Sequence, residues 1–186
     1  MVLITDRIVK WLASSNFLKA KKNKIAKEGM KLPANRPKIV YTGGTFDLYH
    51  SGHANFLRQC RIIAGENGKV VVSLNPDEFI KKFKGKAPIM TYDERKAMLE
   101  SVSYVDRVIP NSGGEDSKPA ILSVMPTFIV IGSDWAKKDY YKQMKFTQKW
   151  LDEHGIILVY VPYTEGISST ELKRRLTEYM KESDRK

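Results

Sequence analysis

The stretch Lys38-Ile39-Val40-Tyr41-Thr42-Gly43-Gly44-Thr45-Phe46-Asp47-Leu48-Tyr49-His50-Ser51-Gly52-His53 decides the fold. Lys38 to Thr42 is apolar and β-branched, the composition of a buried strand. Gly43 and Gly44 break that run and let the backbone approach a ligand with no Cβ in the way. Beyond them, His50, Ser51, Gly52 and His53 open a helical spacing carried by Ala54, Leu57, Cys60, Ile63 and Ala64. Strand, glycine turn and helix follow one another, with two imidazoles where the helix begins.

That arrangement suits a polyphosphate. A helix N-terminus offers unpaired N–H groups and a partial positive charge. His50 and His53 are spaced to project from one side of the first turn. Their ring N–H groups could hydrogen-bond an α-phosphate as charge develops on it. The chain has three histidines, so two of them at one helix start is a concentration that a surface role does not explain. A zinc pair is weakly supported, because zinc takes three or four ligands and the sole cysteine is Cys60. No protein-held metal is read from these residues.

Outward from this stretch the chain alternates strand and helix. Lys69 to Leu74 reads as a second strand. Asn75-Pro76-Asp77-Glu78 reads as a helix start, with Asn75 as N-cap and Pro76 at the first position. Lys81-Lys82-Phe83-Lys84-Gly85-Lys86-Ala87-Pro88 reads as a basic loop able to swing onto a triphosphate. Thr91 and Glu94 form a capping box before a helix carrying Arg95. Val105 to Ile109 is a short strand, Asn111 to Asp116 a polar loop, and Pro119 to Val124 a short helix. Thr127 to Ile131 is a fourth strand, and one helix is expected from about Lys138 to Glu153, closed by Gly155. Ile156 to Val161 is the fifth strand, and Ser168 with Glu171 starts the last helix.

The fold class is therefore α/β: a Rossmann-like open parallel five-stranded sheet with helices on both faces, plus a basic helical N-terminal arm. Ligands of such sheets bind beyond the carboxyl ends of the strands. The loops after strands one, four and five carry His50/His53, Ser133/Asp134 and Thr164 to Ser169, so they converge on one edge. Residues 1–36 form the arm and residues 37–186 the main domain, with Pro33 and Pro37 marking the boundary. The arm combines Ile4, Ile8, Val9, Trp11 and Leu12 with six lysines between Lys19 and Lys31. A solvated helical arm is its first reading, a dimerisation arm its second, and contact with a membrane surface or nucleic acid its third.

Composition bounds the rest. The 186 residues are 42% hydrophobic and 28% charged, ordinary for a globular protein. One cysteine excludes an internal disulfide and fits a reducing, cytoplasmic compartment. No run approaches the roughly 20 apolar residues of a transmembrane helix. The net charge of +11 draws phosphorylated small molecules, nucleic acid or anionic membranes alike.

Gly44-Thr45-Phe46-Asp47 followed by His50-Ser51-Gly52-His53 resembles the His-x-Gly-His signature of the cytidylyltransferase-like nucleotidyltransferases. Thr164-Glu165-Gly166-Ile167-Ser168-Ser169-Thr170 resembles the family's second motif, and Gly132-Ser133-Asp134-Trp135 its Gly-Asp-Asp-Trp segment. The resemblance runs from about Lys38 to Leu176 and is strongest to glycerol-3-phosphate cytidylyltransferases. Tyr163 and Ser103 stand where that subfamily has arginines, and the loop at Asn111 to Gly114 lacks its tryptophan.

The resemblance implies an enzyme in which an acceptor phosphate attacks the α-phosphorus of a nucleoside triphosphate and pyrophosphate leaves. His50, His53, Lys84 and Lys86 would be its catalytic residues. Gly43, Gly44, Thr45, Phe46, Arg95, Asp134, Thr164, Gly166, Ile167, Ser168, Ser169 and Thr170 would bind the nucleotide. Magnesium is expected through the phosphates. CTP with an alcohol phosphate such as glycerol 3-phosphate is the first reading, and ATP with a sugar phosphate the second. A homodimer is the expected assembly. The rival from another class is a non-catalytic nucleic-acid- or membrane-binding module that works through the arm.

Overall fold

The computed structural model describes residues 37–137 and 139–184. The readings made for residues 1–36 lie outside the described residues.

Five strands form one parallel sheet in the order β3-β2-β1-β4-β5. They are β1 (Ile39–Gly44), β2 (Lys69–Leu74), β3 (Arg107–Pro110), β4 (Phe128–Gly132) and β5 (Ile157–Val161). The helices between them are α1 (Ser51–Ala64), α2 (Asp77–Lys84), α3 (Tyr92–Glu100), α4 (Lys118–Val124), α5 (Tyr140–Met144), α6 (Gln148–His154) and α7 (Ser169–Ser183). A 3₁₀ turn, Ser133–Lys137, follows β4. Among the described residues no helix is long and apolar enough to cross a membrane.

The sheet is covered on both faces, which is why its strands read as continuous apolar runs. Side chains alternate along a strand, so the two faces collect different residues. Tyr41, Val71, Ile109, Ile129 and Ile131 pack on one face against Ala120, Ile121, Tyr140, Phe146 and Leu151. Val40, Val70 and Val130 pack on the other face against Cys60 and Ala64 of α1. Val72, Leu74 and Val108 meet Leu57 of α1 and Leu99 of α3 on that same face. Each fully buried leucine or isoleucine contributes about 1.5–3 kcal/mol through apolar area removed from water.

Four local expectations are corrected. The glycines do not break β1: Gly43 and Gly44 pair with Ser73 and Leu74, so the strand runs to its last glycine before turning. α2 starts one residue later than expected, with Pro76 at the N-cap, because Asn75 gives its side-chain oxygen to Asn111 instead of to a cap. Lys84 is the last residue of α2 and only Lys86 is in the loop, since Gly85 closes the helix in the left-handed region (φ 72°). The single helix expected from Lys138 to Glu153 is two, because Lys145 adopts φ 55° between them. Each piece has its own side-chain cap, Asp139 on Lys142 N–H and Thr147 on Trp150 N–H.

Candidate active site

The strand order reverses at β1, which lies between β2 and β4, and a cleft of about 720 Å³ opens at the carboxyl end of the strands there. It is lined from the loop after β1, the start of α1, the end of α2, the 3₁₀ turn after β4 and the N-terminus of α7.

The loop after β1 is strained. Phe46 and Leu48 both have φ near +50°, unusual for residues with a Cβ. The conformation folds the Phe46 ring back over Gly44, where any Cβ would lie 2.9 Å from the ring. Arg95 holds the loop from beneath. This side chain is fully buried, and its guanidinium donates to the carbonyls of Met90 (3.1 Å), Thr45 (2.6 Å) and Asn75 (2.9 Å) and to Asp77.

His50 is the N-cap residue of α1 but makes no side-chain cap, so its ring turns to the cleft. Its ring stacks on that of His53 at 3.8 Å between centroids. Phe46 and Tyr49 close around His53 at 5.1 and 5.7 Å. Gly52 makes this possible: a Cβ there would lie 3.0 Å from the His50 ring and 3.3 Å from Ile167. Burial pushes the His53 imidazole down to about 3, and the adjacent His50 acts in the same direction, while Asp47 opposes it. Burial lowers His50 as well. Both rings are therefore neutral at pH 7, and both Nδ1 atoms are without a hydrogen-bond partner among the described residues. Both residues line the cleft, so a polyphosphate entering it would meet two imidazoles whose protonation it favours.

Asp47 joins three segments of the site. Its carboxylate accepts the backbone N–H groups of Ile89 and Met90, both at 3.0 Å, and Lys173 Nζ at 2.9 Å. Its carbonyl accepts Ser169 Oγ at 2.5 Å. Burial pushes the pKa of this carboxyl up, and the three donors more than offset that, leaving it below the ordinary carboxylate range. The loop that carries the histidines, the segment after Lys86 and the start of α7 are thereby fixed to one another.

Most residues read from the motifs meet in the cleft: Gly43, Gly44, Thr45, Phe46, His50, His53, Lys84, Lys86, Asp134, Thr164, Ile167, Ser168, Ser169 and Thr170. Two expectations change. Arg95 does not reach the cleft, because its guanidinium is committed to the loop carbonyls beneath it. Gly166 lies in a smaller adjoining groove of about 320 Å³, where its φ of 78° turns the chain into α7. The hydroxyls at α7 are also more engaged than expected. Ser168 Oγ caps the Glu171 N–H at 3.0 Å, and Ser169 Oγ is spent on Asp47. What this terminus offers a phosphate is mainly backbone N–H. Asp47 and Lys173 are site residues that motif reading did not assign. The lysine follows the second motif at helical spacing, but the partner that gives it meaning is 126 residues away.

An open parallel sheet with paired imidazoles, lysines and a helix N-terminus around its switch point defines a nucleotidyltransferase. The chain belongs to the cytidylyltransferase-like family, whose model matches residues 41–175. It is 36% identical over 140 residues to glycerol-3-phosphate cytidylyltransferase of Bacillus subtilis (strain 168), covering 75% of this chain and 97% of that enzyme. It is 30% identical over 138 residues to the FAD synthase of Korarchaeum cryptofilum, covering 74% of this chain and 90% of that enzyme. In fold it is similar to the lipopolysaccharide core biosynthesis protein from Thermoplasma volcanium, with a TM-score of 0.54, 24% identity, and coverage of 68% of this chain and 96% of that one.

Proposed function

We propose that the enzyme transfers CMP from CTP to a small phosphorylated alcohol such as glycerol 3-phosphate and releases pyrophosphate. The observation that carries the reading is the stacked, neutral His50–His53 pair lining a cleft that also holds Lys84, Lys86 and the α7 N-terminus. A phosphate oxygen of the acceptor forms a bond to the α-phosphorus, and the bond from that phosphorus to the β-phosphate bridging oxygen breaks. The imidazoles donate to the non-bridging oxygens as charge builds there. Lys84 and Lys86 neutralise the triphosphate and the departing pyrophosphate. The rest of the acceleration is positioning, which the Asp47 ties provide.

Among the described residues no three His, Cys, Asp or Glu side chains converge on a metal position, while Asp134 lines the cleft. A magnesium ion carried by the nucleotide phosphates would find one protein carboxylate in the cleft, Asp134, to help hold it. Such an ion supplies neutralisation of the triphosphate charge.

CTP rests on the 36% identity to the Bacillus subtilis enzyme. A second reading, ATP with a sugar phosphate, is favoured by Tyr163, which lines the cleft where the glycerol-3-phosphate subfamily has an arginine and whose backbone N–H donates to Ser133 Oγ at 3.1 Å. Mass spectrometry of products formed from CTP or ATP with a panel of acceptor phosphates separates them. A cytidine diphospho-compound made in preference to its adenosine counterpart is the expected product. Preference for the adenosine product would transfer the assignment to the second reading.

A further inference from the structure

Among the described residues, α7 has an apolar face that nothing covers. The helix is 15 residues long and buries none of them. Leu172, Leu176 and Tyr179 fall at i, i+4 and i+7, with Met180 beside them, so they make one strip along the helix. Leu176 is 53% exposed, Tyr179 68% and Met180 57%. The opposite face carries a charge network in which Arg174 holds Glu171 at 2.7 Å and Glu178 at 2.6 Å. A helix of this length is marginal in water unless its apolar strip packs on something. The ties from Ser169 and Lys173 to Asp47 hold only its first turns.

The charges along the helix select the occupant of the strip. Lys173, Arg174, Arg175 and Lys181 stand against Glu171, Glu178 and Glu182, so the helix is close to neutral and lacks the strongly basic polar face of a helix that lies on an anionic membrane. Arg175 and Glu182 are two turns apart on the same edge of the strip. In an antiparallel pair of such helices that edge meets itself, so the arginine of each comes opposite the glutamate of the other, twice by symmetry. A parallel pair would set Arg175 beside Met180 instead. Arg175 gives Nε to Glu171 at 2.8 Å, and a guanidinium has five N–H donors, enough for a second carboxylate.

We propose that the exposed strip of α7 docks a second copy of this chain, the two α7 helices lying antiparallel across a two-fold axis with Leu176 and Tyr179 of each copy interleaved. Arg175 pairs with Glu182 of the other copy and the reverse. No feature of the reaction enters this pairing. A 15-residue helix is about 22 Å long, so the contact is small and association falls in the micromolar range.

Sedimentation equilibrium of the full chain, from about 1 to 200 µM, tests the pairing. The variants are Arg175→Glu, Glu182→Arg and Leu176→Asp, all at exposed positions, with far-UV circular dichroism to show that each is folded. The wild type is expected to form a dimer that Leu176→Asp abolishes. Arg175→Glu has two carboxylates on the edge and Glu182→Arg two cations, so each alone should dimerise at least about tenfold more weakly. Mixed in equal amounts, the two should associate within about threefold of the wild type, a recovery that changes inside one helix cannot produce. A wild type that stays monomeric throughout would overturn the proposal. So would a dimer of unchanged strength in Leu176→Asp, which would place the contact on another surface, or a mixture no stronger than its separate components. A monomer that instead binds phosphatidylglycerol vesicles through the strip, with binding lost in Leu176→Asp, would also overturn it.

Discussion

His53 is held in a box of three rings, and that box decides how the site responds to protons. Its imidazole sits at about 3 in the folded chain against an ordinary value near 6.5. Folding therefore favours the neutral ring. The unfolded chain binds the extra proton first, so the stability contributed is fully present above about pH 6.5 and is lost as pH falls toward 3. Across that window unfolding free energy should drop by up to about 1.4 kcal/mol per pH unit for this group. Melting temperature from pH 7 to 4.5 should fall more steeply in the wild type than in His53→Asn. Parallel curves would show that the box does not depress the imidazole. Gly52 tests the same box sterically. Gly52→Ala places a methyl at 3.0 Å from the His50 ring and 3.3 Å from Ile167. Turnover should fall about 100-fold, the scale of a small misplacement of reacting groups. Unchanged turnover in that variant would mean that the stacked geometry is not the working one. Residue types at the motif positions were readable from sequence. The stack and the Nδ1 atoms without partners were not, because they depend on how remote loops close around them.

Among the elements, α3 and α7 do work that spacing alone did not show. The resemblance to the family makes Arg95 a nucleotide contact. In the structure it is a buried brace, with its donors on three carbonyls and Asp77. Arg95→Met should lower unfolding free energy by about 2–4 kcal/mol, since the carbonyls of Met90, Thr45 and Asn75 lose their donors. Urea denaturation showing a change under about 1 kcal/mol would contradict the role of Arg95 as a brace. α7 buries no residue of its own and is tied to the site through Lys173 and Ser169. Lys173→Met should raise the nucleotide KM about tenfold with a stability cost of only about 1 kcal/mol, because the lysine is half exposed. A KM equal to the wild type's would show that α7 holds its place without the tie. Strand positions and capping boxes were legible because their patterns are local. The break at Lys145 was not, although Asp139 and Thr147 are both good N-cap residues and signal two helix starts.

For the whole molecule, the strand order puts the loops after β1, β4 and β5 on one edge, and that was legible from alternation alone. The convergence of His50, His53, Lys84, Lys86 and the α7 N-terminus follows from it. What alternation could not give is the link that makes the edge one rigid site. Asp47 provides it by joining residues 42 and 126 positions apart. The central claim is that the histidine pair stabilises charge at the transferring phosphorus. The most direct measurement is the single-turnover rate of acceptor-dependent pyrophosphate release from CTP, with nucleotide affinity measured alongside, in the wild type and His53→Ala. We predict a loss of about 100- to 1,000-fold in rate, with affinity held within a few fold. Equal rates in the two proteins, or release that needs no acceptor, would contradict the account.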